Sequence, residues 1–326
     1  MTIEIGTVFR RAPHLMADLL ELLLLTRYDG ATSMAPADLD GVIERAATDS
    51  EEVDEELEPE SVSNPAKLSE KKEQSLADIW NVLRFRDIRY KDAYPFDVSG
   101  ERVIVHPNLN EAQRVYRLLL VASRLKSFPE VDGLRQKWAA AFTQLSSCAL
   151  KAMLAPSIPV RIFDANSDDR RTHYGTNLQD AMKLLCEELH ALPLCDPLVS
   201  ETSGDGGVDL VAAFPFNDGA TSTLGVLAQC AAQERNWPAK RFEGTPQSLG
   251  SIFGALNGVL SALFIPVCYR SSSGGWAQPL HTGGCLVLDR SRILAMLRAH
   301  PTNLASVLSL PAFLGFESEF QRVSMA

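Results

Sequence analysis

The chain has 326 residues, 46% of them apolar and 22% charged, with a formal net charge of −10. That length holds two domains with sizeable cores, and the composition is that of a water-soluble globular protein rather than a disordered or fibrous one. The densest apolar run, Leu19 to Leu25, follows Asp18 and is broken by Glu21; nothing approaches the ~18–20 residues of a membrane span, so neither a membrane partner nor a signal peptide is expected.

The acidic charge is concentrated. The segment Asp49 to Glu60 carries eight acidic residues and no basic one, which leaves −2 for the rest of the chain. A near-neutral remainder can hold a basic cleft, so the charge does not exclude nucleic acid. The six cysteines, Cys148, Cys186, Cys195, Cys230, Cys268 and Cys285, form no C-x-x-C pair and sit mostly in apolar runs. This argues against a zinc site or a disulfide framework and for a reducing cytoplasm.

In chain order, Leu15 to Thr26 reads as a dense apolar helix stopped by Asp29-Gly30, and Ala37 to Ala47 as a short second helix. The acidic stretch, residues 49 to 63, reads as a linker. Lys71 to Arg84 resumes helix. Arg84 to Phe96 interleaves Arg84, Arg86, Arg89 and Lys91 with Phe85, Tyr90 and Tyr94. That pattern suits either a phosphate-and-stacking surface or a half-buried edge strand. Val103 to His106 is a short strand. Glu111 to Leu125 and Val131 to Ala155 are strong helices, and a domain boundary is drawn near Pro156.

Beyond it the period changes. Val160 to Phe163 is a strand, Asn177 to Leu192 an amphipathic helix, and Val208 to Phe214 and Leu224 to Cys230 two apolar strands. Thr245-Pro246 opens a helix running through Phe253 and Leu256. Ala262 to Cys268 and Cys285 to Leu288 are strands, and Arg292 to Ala299 is a helix. This order predicts an α/β core with a mixed sheet flanked by helices, residues 156–326, preceded by a helical domain, residues 1–155.

The two apolar strands carry the chemistry. Asn217 to Ala220 has the residue types of a turn. Pairing the strands antiparallel about Gly219 sets Asp209 opposite Gln229, on one face at one level. A carboxylate beside an amide oxygen is a hard-oxygen pair that suits Mg²⁺ or Mn²⁺.

Four pieces in this half resemble the PD-(D/E)xK nuclease superfamily, in its Mrr-like restriction endonuclease branch. They are Gly204 to Asp209 (GDGGVD), Ala228-Gln229-Cys230, Ala262 to Ile265 (ALFI) and Leu286 to Asp289 with its following helix, spanning about residues 170 to 300. The resemblance implies a restriction-endonuclease-like core and a metal-dependent endodeoxyribonuclease. It implies Asp209 as the main Mg²⁺ ligand, with Gln229 and the Cys230 backbone carbonyl as further ligands. It also implies a glutamate from the preceding helix: Glu188 rather than Glu187, because Glu188 lies closer to the apolar face. The family's lysine, two residues after the second ligand, is Ala231 here. Either a cation has moved in from elsewhere, with Lys240 leading Lys183 and Arg235, or the core is an inactive nuclease fold serving as a DNA-binding or assembly module. The partners implied are DNA and a further subunit of a bacterial restriction or anti-phage system, or a second copy of the chain.

Other constellations are weaker. Gly204 to Gly207 lacks the Lys-Ser/Thr of a nucleotide loop, and Ser271 to Gly275 lacks G-x-S-x-G. His173 and His281 are isolated, and packing is the default for Trp237 and Trp276. A small-molecule hydrolase finds no motif.

Overall fold

The computed structural model describes residues 3–5, 8–47, 65–191, 206–250, 254 and 256–325. The acidic stretch, Cys195, Gly204-Asp205 and Phe253 lie outside them. The chain divides into two compact units, one of Met1–Trp138, Val267–Ala277 and Leu314–Ala326, the other of Ala139–Pro266 and Gln278–Phe313.

The first unit is built on α1 (Pro13–Leu25), with α2 (Pro36–Ala47), α3 (Pro65–Tyr90) and α4 (Glu111–Ser123). Pro13 starts α1 where a missing N–H costs nothing, and the Thr26 hydroxyl closes it on the Leu22 carbonyl at 2.7 Å. Leu15 to Leu24 are all buried, so the helix is enclosed on every side, and Asp18 and Glu21 go in with it. Such acids need a cation. Arg86 of α3 supplies it, 2.7 Å from Asp18 Oδ1 and 2.6 Å from Glu21 Oε1. The Tyr94 and Tyr116 hydroxyls donate to Glu21 at 2.7 and 2.6 Å, and Ser123 donates to Asp18 at 3.1 Å. Burial alone would lower the Arg86 pKa, but the Glu21 and Asp18 charges outweigh it and raise it well above its ordinary value.

This corrects the reading of Arg84 to Phe96. The segment is helical through Tyr90, and Arg86, Tyr90 and Tyr94 are buried. Arg86, Tyr90 and Tyr94 are packing around α1, whereas Arg84, Arg89 and Lys91 are exposed; the segment is helix, not an edge strand. A second correction follows: this part is not all-helical. β1 (Ser33–Met34), β2 (Phe96–Ser99) and β3 (Arg102–Val105) form a small antiparallel sheet ordered β1-β3-β2.

The division between units falls at Trp138/Ala139, inside α5 (Leu134–Met153). The second unit holds β4 (Val160–Ile162), α6 (Asp168–His173), α7 (Leu178–Glu188), β5 (Leu210–Ala213), β6 (Gly225–Cys230), α8 (Trp237–Lys240), β7 (Val259–Phe264), β8 (Leu286–Leu288), α9 (Arg290–Arg298) and α10 (Pro301–Leu308). α11 (Pro311–Met325) follows. The five strands form one mixed sheet in the order β4-β5-β6-β7-β8: β4, β5 and β6 are antiparallel neighbours, and β6, β7 and β8 are parallel. The α/β core with a mixed sheet is therefore present.

On one face of the sheet, Val211, Ala213 and Leu227 pack against Met182, Leu185 and Leu189, with Phe163 and Tyr174 completing the cluster. Asn177 caps α7 by accepting from the Asp180 N–H, and Asp289 caps α9 through Arg292. β7 begins three residues earlier than expected and ends before Pro266, which has no N–H for the ladder.

Candidate functional site

β5 and β6 pair Leu210 with Ala228 and Ala213 with Gly225. The pairing ends at Leu210–Ala228, and the Asp209 N–H donates to the same Ala228 carbonyl at 2.9 Å. The expected register holds for Leu210–Ala213 against Gly225–Ala228, and the backbone of Asp209 meets Ala228 rather than Gln229. The reversal is wider than a tight hairpin: pairing ends where the Phe214 N–H meets the Leu224 carbonyl, and Asn217 and Gly219 turn the loop with φ of 55° and 70°.

Asp209 leads into β5, and its carbonyl accepts from the Phe163 N–H at 2.6 Å. Its Oδ2 accepts from the Cys230 N–H at 2.6 Å, so the carboxylate spans the gap to β6 beside the Gln229–Cys230 peptide. Gln229 is 9% exposed. Its Nε2 donates to Glu243 Oε2 at 2.9 Å, while its Oε1 is buried and has no hydrogen-bond partner among the described residues. A buried acceptor left so costs about 1–3 kcal/mol, and functional sites are where such costs persist.

Glu243 also accepts from Lys240 Nζ at 2.8 Å. Lys240 and Glu243 stand three residues apart, so the turn carrying α8 aims both the same way. Burial would raise the Glu243 carboxyl, but hydrogen bonds from Lys240 and Gln229 and the lysine's charge outweigh it and hold its pKa below the ordinary value. The Cys230 thiol shifts the other way: burial, then the charge of Asp209, push it well above its ordinary value, with Asp164 adding and the Ser146 and Thr143 hydroxyls opposing. It is a protonated, inert thiol at neutral pH.

Two glycines set this geometry. Gly207 and Gly244 have φ of 79° and 57° and meet backbone to backbone. A Cβ on Gly207 would fall 2.8 Å from the Gly244 nitrogen and 3.0 Å from Glu243 Cβ. Only glycine fits either place, so the turn into Asp209 lies directly on the loop that carries Glu243.

Comparison with protein-family models, with curated proteins and with solved structures finds no match. The site is therefore read from its own geometry.

The structure joins Asp209 to the Cys230 backbone, and joins Gln229 to Lys240 through Glu243. Glu188 is held elsewhere: Arg161 of β4 and the Tyr174 hydroxyl take its two oxygens. Burial, then Glu188, raise the Tyr174 pKa, so the phenol stays a proton donor to that carboxylate. Glu187, Lys183 and Arg235 are exposed, and Ala231 is buried. Trp237 is buried with its ring edge toward His281, and Trp276 lies under the Arg270 guanidinium. Glu243 and Asp164 are absent from the sequence reading. The Lys240-x-x-Glu243-Gly244 spacing is the signal for Glu243.

Among the described residues, no three or more His, Cys, Asp or Glu side chains gather as a metal cluster. Mg²⁺ does not require one: it keeps several waters and is bound by one or two carboxylates together with substrate phosphates. The Asp209 carboxylate, held on the Cys230 N–H, and the oxygen of the preceding Gln229 are hard-oxygen donors of that kind, and no donor among the described residues reaches the Gln229 oxygen.

Proposed function

We propose that the chain is a Mg²⁺-dependent DNA endonuclease with a restriction-endonuclease-like core, working in a bacterial restriction or anti-phage system. The observation that carries this reading is the buried Gln229 oxygen, without a donor among the described residues, next in the chain to the Cys230 N–H that holds the Asp209 carboxylate, on an amide tied to Lys240 through Glu243. Asp209 and Gln229 would hold the cation. Bound there, Mg²⁺ would polarise the scissile phosphate and lower the pKa of an attacking water. Lys240 does what Ala231 cannot. Its ammonium has three donors, so it can keep Glu243 and still meet a phosphate oxygen.

The test is nicking of supercoiled plasmid with Mg²⁺. Asp209→Ala and Lys240→Ala are each expected to slow cleavage by about 10²–10³-fold, the cost of removing one transition-state stabiliser. Equal nicking by wild type and Asp209→Ala, or no cleavage by wild type, would sink the enzyme reading.

Ala231 favours a second reading, an inactive nuclease fold that binds DNA or a partner subunit. On that reading wild type retains DNA without cutting it, no Asp209-dependent Mg²⁺ or Mn²⁺ shift of thermal stability appears, and Lys240→Ala changes nothing in the plasmid assay.

A further inference from the structure

We propose that Glu243 is the positioning residue of this site, turning the Gln229 amide so that its oxygen faces the cation position and anchoring Lys240 beside it. The inference rests on the reading of Asp209 and Gln229 as a cation site.

The first argument is the chemistry of the amide. A glutamine side chain presents an oxygen on one side and an NH₂ on the other, and the two orientations differ little in shape. An ionised carboxylate only accepts, so beside Glu243 the nitrogen must turn toward it. The 2.9 Å Nε2–Oε2 bond is that arrangement. The oxygen is forced to the opposite side, where it is buried with no donor among the described residues. Without Glu243, nothing given by the Gln229 contacts decides which end of the amide is presented. A cation site with a free-turning amide would offer it an NH₂ half the time.

The second argument is the lysine. Lys240 sits on a four-residue helix, about one-third exposed, and its ammonium is held by the same Glu243 oxygen at 2.8 Å. An exposed lysine carries about 2 kcal/mol of rotamer entropy, so one fixed acceptor restricts where the amine goes. One carboxylate thus sets a ligand atom and a cation at once.

The third argument is the floor under Glu243. Gly207 packs against Glu243 Cβ and the Gly244 nitrogen, and Gly207 lies two residues before Asp209. Glu243 is therefore registered to both strands: to β6 through Gln229, and to the entry of β5 through the glycine contact.

The experiment uses the full chain with Mn²⁺ as the probe. Calorimetric titration compares wild type, Asp209→Ala, Glu243→Ala and Glu243→Gln, alongside plasmid cleavage. The Gln229 side-chain amide is followed in ¹⁵N-resolved NMR spectra of metal-free protein, assigned by its loss in Gln229→Ala. Glu243→Ala should weaken Mn²⁺ about 10–100-fold, as loss of an outer-shell partner does, and should move the Gln229 amide resonances. Glu243→Gln can still accept from Nε2 through its own oxygen, so Mn²⁺ affinity should return to within a few-fold of wild type. Its neutral amide lacks the charge that anchors the ammonium and meets it only through a weaker hydrogen bond, so cleavage should stay depressed. A residue that merely props up the fold gives no such split.

Wild-type Mn²⁺ affinity and unmoved Gln229 amide resonances in Glu243→Ala overturn the orienting role. Wild-type cleavage by Glu243→Gln overturns the anchoring role. Should Glu243→Ala fail to fold, the near-isosteric Glu243→Gln decides: loss of Mn²⁺ binding in it also overturns the orienting role. Equal Mn²⁺ affinity in wild type and Asp209→Ala is a different failure, that of the cation reading, and the amide resonances then still decide whether Glu243 orients Gln229.

Discussion

A single methyl group at Gly244 probes whether the loop contact holds the site together. Gly244 has φ of 57°, so alanine there meets left-handed strain of about 1–2 kcal/mol. The larger effect is steric. The new Cβ would land on the Gly207 carbonyl, 2.6 Å from its carbon and 3.0 Å from Val208 Cγ2. Ordinary contact begins at 3.4 Å, so clearing the carbon alone, from 2.6 to 3.4 Å, parts the two backbones by at least about 0.8 Å, and the carbonyl oxygen, nearer still, demands more. No side-chain rotation relieves a clash between main chains, and overpacking of this kind adds about 1–3 kcal/mol. The sum, about 2–5 kcal/mol, corresponds to a melting-temperature drop of roughly 4–20 °C. Displacing catalytic groups by close to 1 Å costs on the order of 100-fold in rate. The measurements are calorimetric unfolding and plasmid nicking. Gly219→Ala is the control, because Gly219 has φ of 70° but nothing within 4 Å of an added Cβ. It bears the strain without the clash. If Gly244→Ala and Gly219→Ala melt and cleave alike, the glycine contact does not hold the site and the reasoning fails.

Three other outcomes are expected. Gln229→Leu removes an orphaned buried acceptor along with one hydrogen bond, so its melting temperature should be no lower than wild type while Mn²⁺ binding is lost; a clear drop in calorimetry would show that the oxygen has a partner. Arg86→Met leaves Asp18 and Glu21 buried without their cation and should cost about 3–5 kcal/mol in urea unfolding, with Arg86→Met/Asp18→Asn/Glu21→Gln recovering most of it; equal midpoints for wild type and the single variant would contradict this. Burial, aided by Arg86 and opposed by Asp18, lowers the His14 pKa from 6.5 to about 4. The unfolded chain therefore takes the proton first, so stability gained from this group is full above pH 6.5 and falls away toward pH 4. His14→Phe should flatten that slope in melting temperature against pH, and an unchanged slope would assign it to other groups.

The register of β5 and β6 is legible in the sequence because alternation with period 2 leaves few ways to pair two apolar strands around Asn217 to Ala220. Asp209 and Gln229 break that apolar pattern, and a polar residue in a buried strand is conspicuous. Glu243 is not conspicuous. It lies in a polar stretch where acids are ordinary, and its significance comes from a tertiary fold-back onto Gly207 that no local period encodes. Arg86 shows the opposite failure. Cations interleaved with aromatics suggested a surface, yet Asp18 and Glu21 inside a leucine-rich helix already demanded a buried cation. The demand and its answer lie 65 residues apart in the chain, and nothing local connects them. Glu188 lies near the apolar face of α7, and that placement brings it to Arg161 and Tyr174.

The first unit is discontinuous in the chain, and that has a consequence for its biosynthesis. Trp138 stacks edge-on against Phe128 and Phe316, and Phe320 lies close to the same ring. Its indole N–H donates to Glu319, and Glu317 takes both Arg114 and Arg117. All of these late partners are translated more than 170 residues after Trp138. At ~5–20 residues per second, a nascent first unit waits roughly 10–35 s with these aromatics and arginines unmatched. Ribosome-bound chains halted before residue 314 should therefore expose α4 and the start of α5 to chaperones and proteases, however well the second unit has folded. A protein whose chain must be read through to α11 before its first unit closes would be slow to mature during synthesis.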